Sequence, residues 1–511
     1  MIQSAQPVHF APSARRFLLR LPAALLALLL LASTAAAPSA RAASLVSAQL
    51  ISSMSRLQVR SLLNLYGAPG PSAANGVDQY HIVYNTTDAH GLPTVASGAL
   101  LVPTGTGVPD PVPLVSYTHG TVLLKASVPS RLYANNAQGL FFAAFGYVAT
   151  MTDYLGLGDS PGLHPYHHGD TQASAAVDLI RVARPFLADS LGVTLDGSVY
   201  LTGYSQGGHA AMATHKYVEE NGLLGEFDIR GCAPLSGAYY LSGGQFTFAF
   251  EYYAYPGYVV YLFEGLQTVY GNLYATRSEF YDAPYDTTIP TYLDGMSSMG
   301  ALHAALPDSV HLFMQDSVLV NALADPSHPV ILAVTDNDNH NWLPARPVRM
   351  AYCEGDEQVS YLNAIAAEDT MTALGAASVE AVRVGGPAVD HSGCFWPAME
   401  DARNWFDALR AASSAAIPGA TPASLSVRPN PATGDAVIAF SLPSAGRARL
   451  SVYDVAGRRI RTLLDAECTE GNTRVRWDGR DASGHPLPAG VYFVRMSTKD
   501  ARATARVHRI R

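Results

Sequence analysis

The stretch that most constrains the fold is Gly203-Tyr204-Ser205-Gln206-Gly207-Gly208. Residues 197–202, just before it, are apolar, β-branched and aromatic, which predicts a buried strand. Residues 209–221, just after it, read as a helix that Gly222 can end from the C′ position. A Gly-x-Ser-x-Gly between a strand and a helix is a nucleophile elbow. Its glycines are needed because side chains beside the serine would collide with the neighbouring strand and helix, while the serine itself sits on a strained turn. Such a turn lifts Ser205 Oγ clear of the sheet. It also aims the unpaired N–H groups and partial positive charge of the helix N-terminus at any oxyanion formed there. An ordinary strand-to-helix turn that happens to hold a serine would need no partners; the rest of the chain supplies them.

With 511 residues there is room for two or three domains, and 48% hydrophobic against 15% charged residues describes a globular chain. The net charge of −9 argues against nucleic acid as a partner. Residues 428–511 carry +7 and the remainder −16, which marks a separate C-terminal module. At the other end Arg15, Arg16 and Arg20 precede an apolar run at 21–32, followed by small residues and an Ala40-Arg41-Ala42 cleavage site. We expect a signal peptide over 1–42, a mature chain from Ala43, and export by the general secretory route. The apolar run is short for a membrane span, and no other stretch is long and apolar enough to be one. Four cysteines in an exported chain permit disulfides. Cys353 and Cys394 both lie beside candidate catalytic residues and are expected to pair, leaving Cys232 and Cys468 free.

Residues 44–66 read as a short helical lead-in, and 80–84 with 95–102 as an antiparallel pair around His90-Gly91. An α/β rhythm then begins. The strand at 112–118 ends in His119-Gly120-Thr121, whose backbone can supply a second oxyanion donor, the N–H of Thr121. The strand at 147–153 opens into a glycine-rich loop at 154–162 that lacks the Gly-Lys-Ser/Thr of a phosphate loop. His164, His167, His168 and Asp170 follow, with a spacing that fits no regular metal-binding face. A helix is expected at 171–187 and a strand at 227–233. Aromatics then crowd residues 246–292, which suggests a helical cap with its own small core and an aromatic face lining an apolar acyl or aryl pocket. The sheet resumes at 347–352 and runs into Cys353-Glu354-Gly355-Asp356-Glu357-Gln358-Val359. Asp356, on the turn after this late strand, is the expected orienting carboxylate. Glu357 is expected to point elsewhere, and Asp336 and Asp338 fall in a polar loop ahead of the strand. After a helix at 360–374 and a strand at 378–384, the loop 385–394 supplies His391, and a closing helix is expected at 395–411.

Ser205, Asp356 and His391 therefore stand in the order nucleophile, acid, base. The elbow, the Asp153-Tyr154-x-Gly-x-Gly loop, the 353–359 segment and Asp390-His391-x-Gly-Cys394 resemble those of bacterial secreted lipase/esterase-type α/β-hydrolases, over about residues 45–410. Trp342, in the segment 337–344, fits the same resemblance. It implies an α/β-hydrolase fold, a mostly parallel sheet flanked by helices, with a cap insertion at about 241–345 in a hydrolase domain at 43–410. It also implies hydrolysis of carboxylic esters by a catalytic Ser205, Asp356 and His391, with Gln206 and Thr121 N–H groups as oxyanion hole and no cofactor or metal. An Ala/Ser/Pro linker is expected at 411–423. Beyond it, short alternating strands over 424–511 predict a small β-sandwich. Val452-Tyr453-Asp454-Val455-Ala456-Gly457, Trp477-Asp478-Gly479-Arg480-Asp481 and Leu487-Pro488-Ala489-Gly490-Val491-Tyr492 are similar to Ig-like domains that act as type IX secretion sorting signals, which implies the secretion machinery as a partner. Two alternatives stay open at this point: a serine peptidase or amidase on the same residues, and a non-catalytic surface adhesion protein.

Overall fold

The computed structural model describes residues 43–68, 75–131, 136–250, 253–415, 425–428, 430, 432–442, 445–454, 458–469, 471–498 and 502–509. The signal peptide expected at 1–42 and the linker residues 416–423 lie outside them.

Nine strands form one sheet: β1 (Ser44–Met54), β2 (Gly76–Thr87), β3 (Pro93–Thr104), β4 (Val112–Thr118), β5 (Val148–Thr152), β6 (Leu195–Tyr204), β7 (Asp228–Leu235), β8 (Val348–Cys353) and β9 (Val379–Gly385). Their order is β1-β2-β3-β5-β4-β6-β7-β8-β9. The pairs β1–β2, β2–β3 and β3–β5 are antiparallel, and every pair from β5 to β9 is parallel. All seven residues of β4 and all five of β5 are buried, as strands covered on both faces require. The helices α1 (Arg56–Leu65), α2 (Ala137–Ala144), α3 (Gly169–Pro185) and α4 (Gln206–Glu220) belong to this layer, and α4 packs on β6 and β7.

Residues 44–54 are a strand where the sequence predicts a helical lead-in. They pair with the edge of β2 from Ser44↔Asn85 to Met54↔Val77, so a ladder of backbone hydrogen bonds overrides local propensity. The helix begins only at Arg56, where Ser55 and Gln58 form a capping box.

Between β7 and β8 the chain leaves the sheet for α5 (Phe246–Phe250), α6 (Pro256–Tyr270), α7 (Tyr285–Thr288), α8 (Met299–Ala304), α9 (Asp316–Ala324) and α10 (Pro329–Asp336). This segment buries Phe246, Val260, Phe263, Phe280, Phe313 and Val334 in a second core, which also takes in Leu123, Tyr166 and Ala238 from the layer beneath. The sheet layer closes with α11 (Leu362–Ala373) and α12 (His391–Ala415). The closing helix starts four residues earlier than the sequence suggests, because Asp390 caps it by accepting the Gly393 N–H at 2.7 Å. It also runs on to Ala415, into the expected linker.

The chain divides into two compact units, 1–403 and 404–511, within α12. The second unit holds two antiparallel sheets. One is β10 (Leu425–Arg428), β11 (Ala436–Leu442) and β14 (Gly471–Trp477) in the order β10-β11-β14; the other is β12 (Gly446–Tyr453), β13 (Arg459–Cys468), β15 (Gly490–Ser497) and β16 (Arg502–Arg509) in the order β13-β12-β15-β16. Phe440, Leu450, Trp477 and Val494 are buried in its core. In β13 the charged residues Arg459, Arg461, Asp465 and Glu467 fall at alternate positions, and two register shifts interrupt its pairing with β12. The fold class matches the expectation: a mostly parallel sheet flanked by helices with a helical cap, and a separate small β-sandwich.

Candidate active site

The central strand β6 ends at Tyr204 and α4 begins at Gln206, so Ser205 alone makes the turn, at φ 62° and ψ −122°. That is costly for a residue with a side chain, of order 1–3 kcal/mol, and persists only where the surroundings enforce it. They do. Ser205 N–H donates to Leu235 O on β7 at 2.9 Å. A Cβ on Gly203 would lie 2.3 Å from Thr118 Oγ1, one on Gly207 1.9 Å from Thr118 O, and one on Gly208 2.5 Å from Leu235 O. The elbow is thus wedged between β4 and β7 with no space for a methyl group at any of the three glycines.

Asp356 sits on the turn after β8, and His391 is the first residue of α12. His391 Nδ1–H donates to Asp356 Oδ2 at 2.7 Å. The other oxygen, Oδ1, accepts the backbone N–H groups of Gln358 at 3.0 Å and Val359 at 2.8 Å. A proton on Nδ1 leaves the lone pair on Nε2. Tyr204 OH donates to His391 O at 2.5 Å and the two rings lie 5.0 Å apart, so His391 docks on the residue before Ser205. Among the described residues, no hydrogen bond joins His391 Nε2 to Ser205 Oγ. A disulfide between Cys353 and Cys394 ties the end of β8 to the first turn of α12, while Cys232 and Cys468 are free thiols.

Glu357 lies closer to this pair than the sequence reading places it. Its Oε2 accepts the His391 backbone N–H at 2.9 Å, and its Oε1 accepts Tyr255 OH at 2.9 Å. Burial disfavours the charge on Glu357, but the His391 N–H and further donors outweigh it and hold the carboxyl below its ordinary range. Asp338 is engaged elsewhere, by Ser242 N–H and Oγ–H at 3.0 and 2.6 Å, and Asp336 accepts Tyr270 OH.

The turn His119-Gly120-Thr121 lies against the elbow: a Cβ on Gly120 would stand 3.9 Å from Ser205 Cβ. Among the described residues the N–H groups of Thr121 and Gln206 have no partner. Three phenols brace this turn. Tyr154 OH donates to His119 O at 2.9 Å, Tyr166 OH pairs with Thr121 Oγ1 at 2.7 Å, and Tyr261 OH, from the cap, donates to Val122 O at 3.0 Å. The histidines of the 164–168 loop are structural partners here. His164 Nδ1–H donates to Leu155 O at 2.8 Å, and its Nε2 accepts from Gln206 Nε2 at 2.7 Å. Burial pushes His164 down to about 3, so it is neutral in this role. His168 Nδ1 pairs with Thr171 Oγ1, and the His167 ring packs edge-on against His209. Among the described residues no group of three or more His, Cys, Asp or Glu is placed to hold a metal ion.

Ser205, Gln206 and Thr121 open onto a narrow cleft of about 60 Å³, lined by Leu241, Ala249, Val259, Leu262 and Val359 and by the polar Gln245, Tyr253, Tyr258 and Gln358. A pocket of this kind buries an apolar group beside a nucleophile. The sequence alone does not reveal the donors Gln245, Tyr253, Tyr255 and Tyr258 that meet the Asp356 loop; the tyrosine content of the cap is their only trace.

Residues 141–413, more than half of the chain, match the secretory lipase family, and residues 426–502 match the FlgD Ig-like domain. Among solved structures, the rice cell wall degrading esterase LipA from Xanthomonas oryzae is 28% identical, with 73% of this chain and 97% of that chain covered at a TM-score of 0.64. A Legionella pneumophila protein is 26% identical over 72% of this chain and 98% of its own, with a TM-score of 0.66. Candida antarctica lipase A, 17% identical over 68% and 77% at a TM-score of 0.51, shares the fold. A search of curated proteins gives no match. Family membership agrees with the strained serine turn and the apolar cleft beside it: the chain belongs to the secretory lipase family and is a carboxylic ester hydrolase with a C-terminal Ig-like domain.

Proposed function

We propose that the chain cleaves carboxylic esters through an acyl-enzyme on Ser205, with His391 as general base and acid and Asp356 as its orienting carboxylate. Ser205 Oγ attacks the ester carbonyl carbon while its proton passes to His391 Nε2. The resulting oxyanion is held by the N–H groups of Gln206 and Thr121. Each such donor contributes ~3 kcal/mol to lowering the barrier. Asp356 stabilises the imidazolium without taking its proton. His391 then protonates the departing alkoxide, and water repeats the sequence to release the acid and free Ser205. The observation that carries the reading is the bond from His391 Nδ1 to Asp356 Oδ2 at 2.7 Å, which leaves Nε2 as the basic nitrogen beside the elbow. Nucleophile and base tighten onto each other when substrate fills the site, as is common in such enzymes.

The apolar lining of the cleft supports the acyl group as the part of the substrate that is buried. The chain is exported by a signal peptide over 1–42, and the hydrolase domain runs from 43 to the end of α12 at Ala415, with its cap at 241–345 and the linker only after Ala415. The Ig-like domain at 424–511 is the sorting element that engages the secretion machinery. Matched p-nitrophenyl esters and p-nitroanilides separate the leading reading from an amidase. Wild type should turn over the esters far faster than the anilides, and Ser205→Ala should turn over neither. Equal rates on both, or an active Ser205→Ala, overturn it. In the native host, deletion of 418–511 should leave active enzyme in the periplasm; normal export of the truncated chain removes the sorting role.

A further inference from the structure

The cap carries hydroxyls where phenyl rings would pack as well, and four of its polar side chains reach the loop that bears Asp356. Tyr253 OH and Gln245 Nε2 both donate to Gln358 O, at 2.9 and 3.0 Å. Tyr258 OH donates to Gln358 Oε1 at 3.2 Å. Tyr255 OH donates to Glu357 Oε1 at 2.9 Å. Gln245 Oε1 also accepts Ser360 N–H at 3.2 Å. A buried hydroxyl costs free energy unless it is paired, and Tyr253, only 4% exposed, spends its hydroxyl on this loop.

Two short routes lead from these donors to the reacting pair. Through Gln358, they hold the residue whose N–H, with that of Val359, fixes Asp356 Oδ1. Through Glu357, Tyr255 holds the carboxylate that accepts the His391 backbone N–H. Gln245, Tyr253, Tyr258 and Gln358 also line the cleft. An acyl group in the cleft therefore lies against the side chains that set the acid loop.

We propose that Tyr253, Tyr255 and Tyr258 are positioning residues: the cap orients the Asp356–His391 pair through Glu357 and Gln358, and the fit of the acyl group is transmitted to the rate of the chemical step as well as to binding. The inference rests on the function proposed above. Its cleanest probe is Tyr255, which does not line the cleft and which Phe replaces without loss of the ring.

The experiment is a double-mutant cycle on the full chain, comparing wild type, Tyr255→Phe, Glu357→Gln and the pair, with p-nitrophenyl acetate, butyrate and octanoate, and Ser205→Ala as control. Tyr255→Phe should lower kcat by about fivefold on every chain length with KM changed by less than about twofold, the signature of misplacement rather than lost binding. In the Glu357→Gln background the same change should have no further effect, because the two residues act in series. Tyr258→Phe, which touches both loop and cleft, should lower kcat and also shift the preferred chain length. Unchanged kcat in Tyr255→Phe, a change in KM alone, or full additivity with Glu357→Gln overturns the inference. If Ser205→Ala remains active, the reading of the site falls and this inference with it. An inactive Ser205→Ala beside an unaltered Tyr255→Phe overturns this inference alone.

Discussion

Around Ser205 the backbone is held by side chains that are missing: Gly203, Gly207 and Gly208 let β4, β7 and α4 close on the elbow to distances that no Cβ permits. Around Asp356 and His391 the backbone is held by side chains that are present, those of Tyr255, Glu357, Tyr253, Gln245 and the Cys353–Cys394 bridge. The first region is built by strands adjacent in the sheet. The second gathers a late strand, the first turn of the closing helix and cap residues that lie more than ninety positions upstream of the acid. An elbow of this kind tolerates almost no substitution and is nearly independent of what covers it. A clamp made of separate donors loses function in increments, and it makes the cap part of the catalytic geometry as well as a wall of the pocket.

The largest expected effect separates orientation from folding in the clamped region. Asp356→Asn keeps the shape of the carboxylate but favours the wrong tautomer of His391, so kcat should fall by ~10⁴. Its Tm should stay close to that of wild type; a variant with near-full activity would move the acid assignment elsewhere. In the elbow the two effects should be inseparable. Gly207→Ala would put a Cβ 1.9 Å from Thr118 O, a backbone atom that cannot yield. It should cost about 4 kcal/mol of stability, with activity lost in parallel. A stable, active Gly207→Ala would break the contrast between the regions.

Replacing Cys353 and Cys394 by Ser opens a loop with a sequence separation of 41. On the loop-entropy account this removes about 4 kcal/mol. Thermal unfolding with and without reductant measures it. Retained kcat at low temperature would assign the bridge to stability, and a loss of kcat in the folded variant would assign it to the clamp.

The smallest expected effect per group is on the support of the elbow at acid pH. Burial pushes His209 down to about 4, although its hydrogen bond to the Asn337 carbonyl works the other way, and burial pushes His164 down to about 3. In the unfolded chain both bind a proton near 6.5; in the fold they stay neutral until far lower pH. The unfolded state therefore takes up more protons as pH falls, and stability drops from pH 6.5 towards about 4, by roughly 2 kcal/mol per histidine at pH 5. Melting curves at pH 7 and pH 5 should show the fall, and an unchanged Tm would mean that these rings stay solvated.

The contrast also explains what could be read from the sequence. The elbow was legible because its cause is local: a strand, a strained serine and glycines at fixed offsets. The sheet strands were legible to within a few residues because their burial on both faces leaves continuous apolar runs such as β4. The edge strand β1 was not, since its pairing with β2 depends on residues 23 to 41 positions away. Neither was the partnership of Glu357 with His391. Glu357 follows Asp356 directly, and alternation suggests that it faces away from the imidazole. The helix start at His391 turns a backbone N–H towards it instead. The tyrosines of the cap showed that aromatic surface would be buried, but a phenol and a phenyl ring read alike until the acceptor of the hydroxyl is known.

The central claim is that Ser205, activated by His391, is the nucleophile. Its most direct test is to treat the protein with a fluorophosphonate and locate the adduct by mass spectrometry of a digest. The account predicts one modified site, Ser205, with loss of esterase activity in proportion to labelling, and no labelling in His391→Ala. Modification of another residue, or full inactivation with Ser205 unmodified, would contradict it.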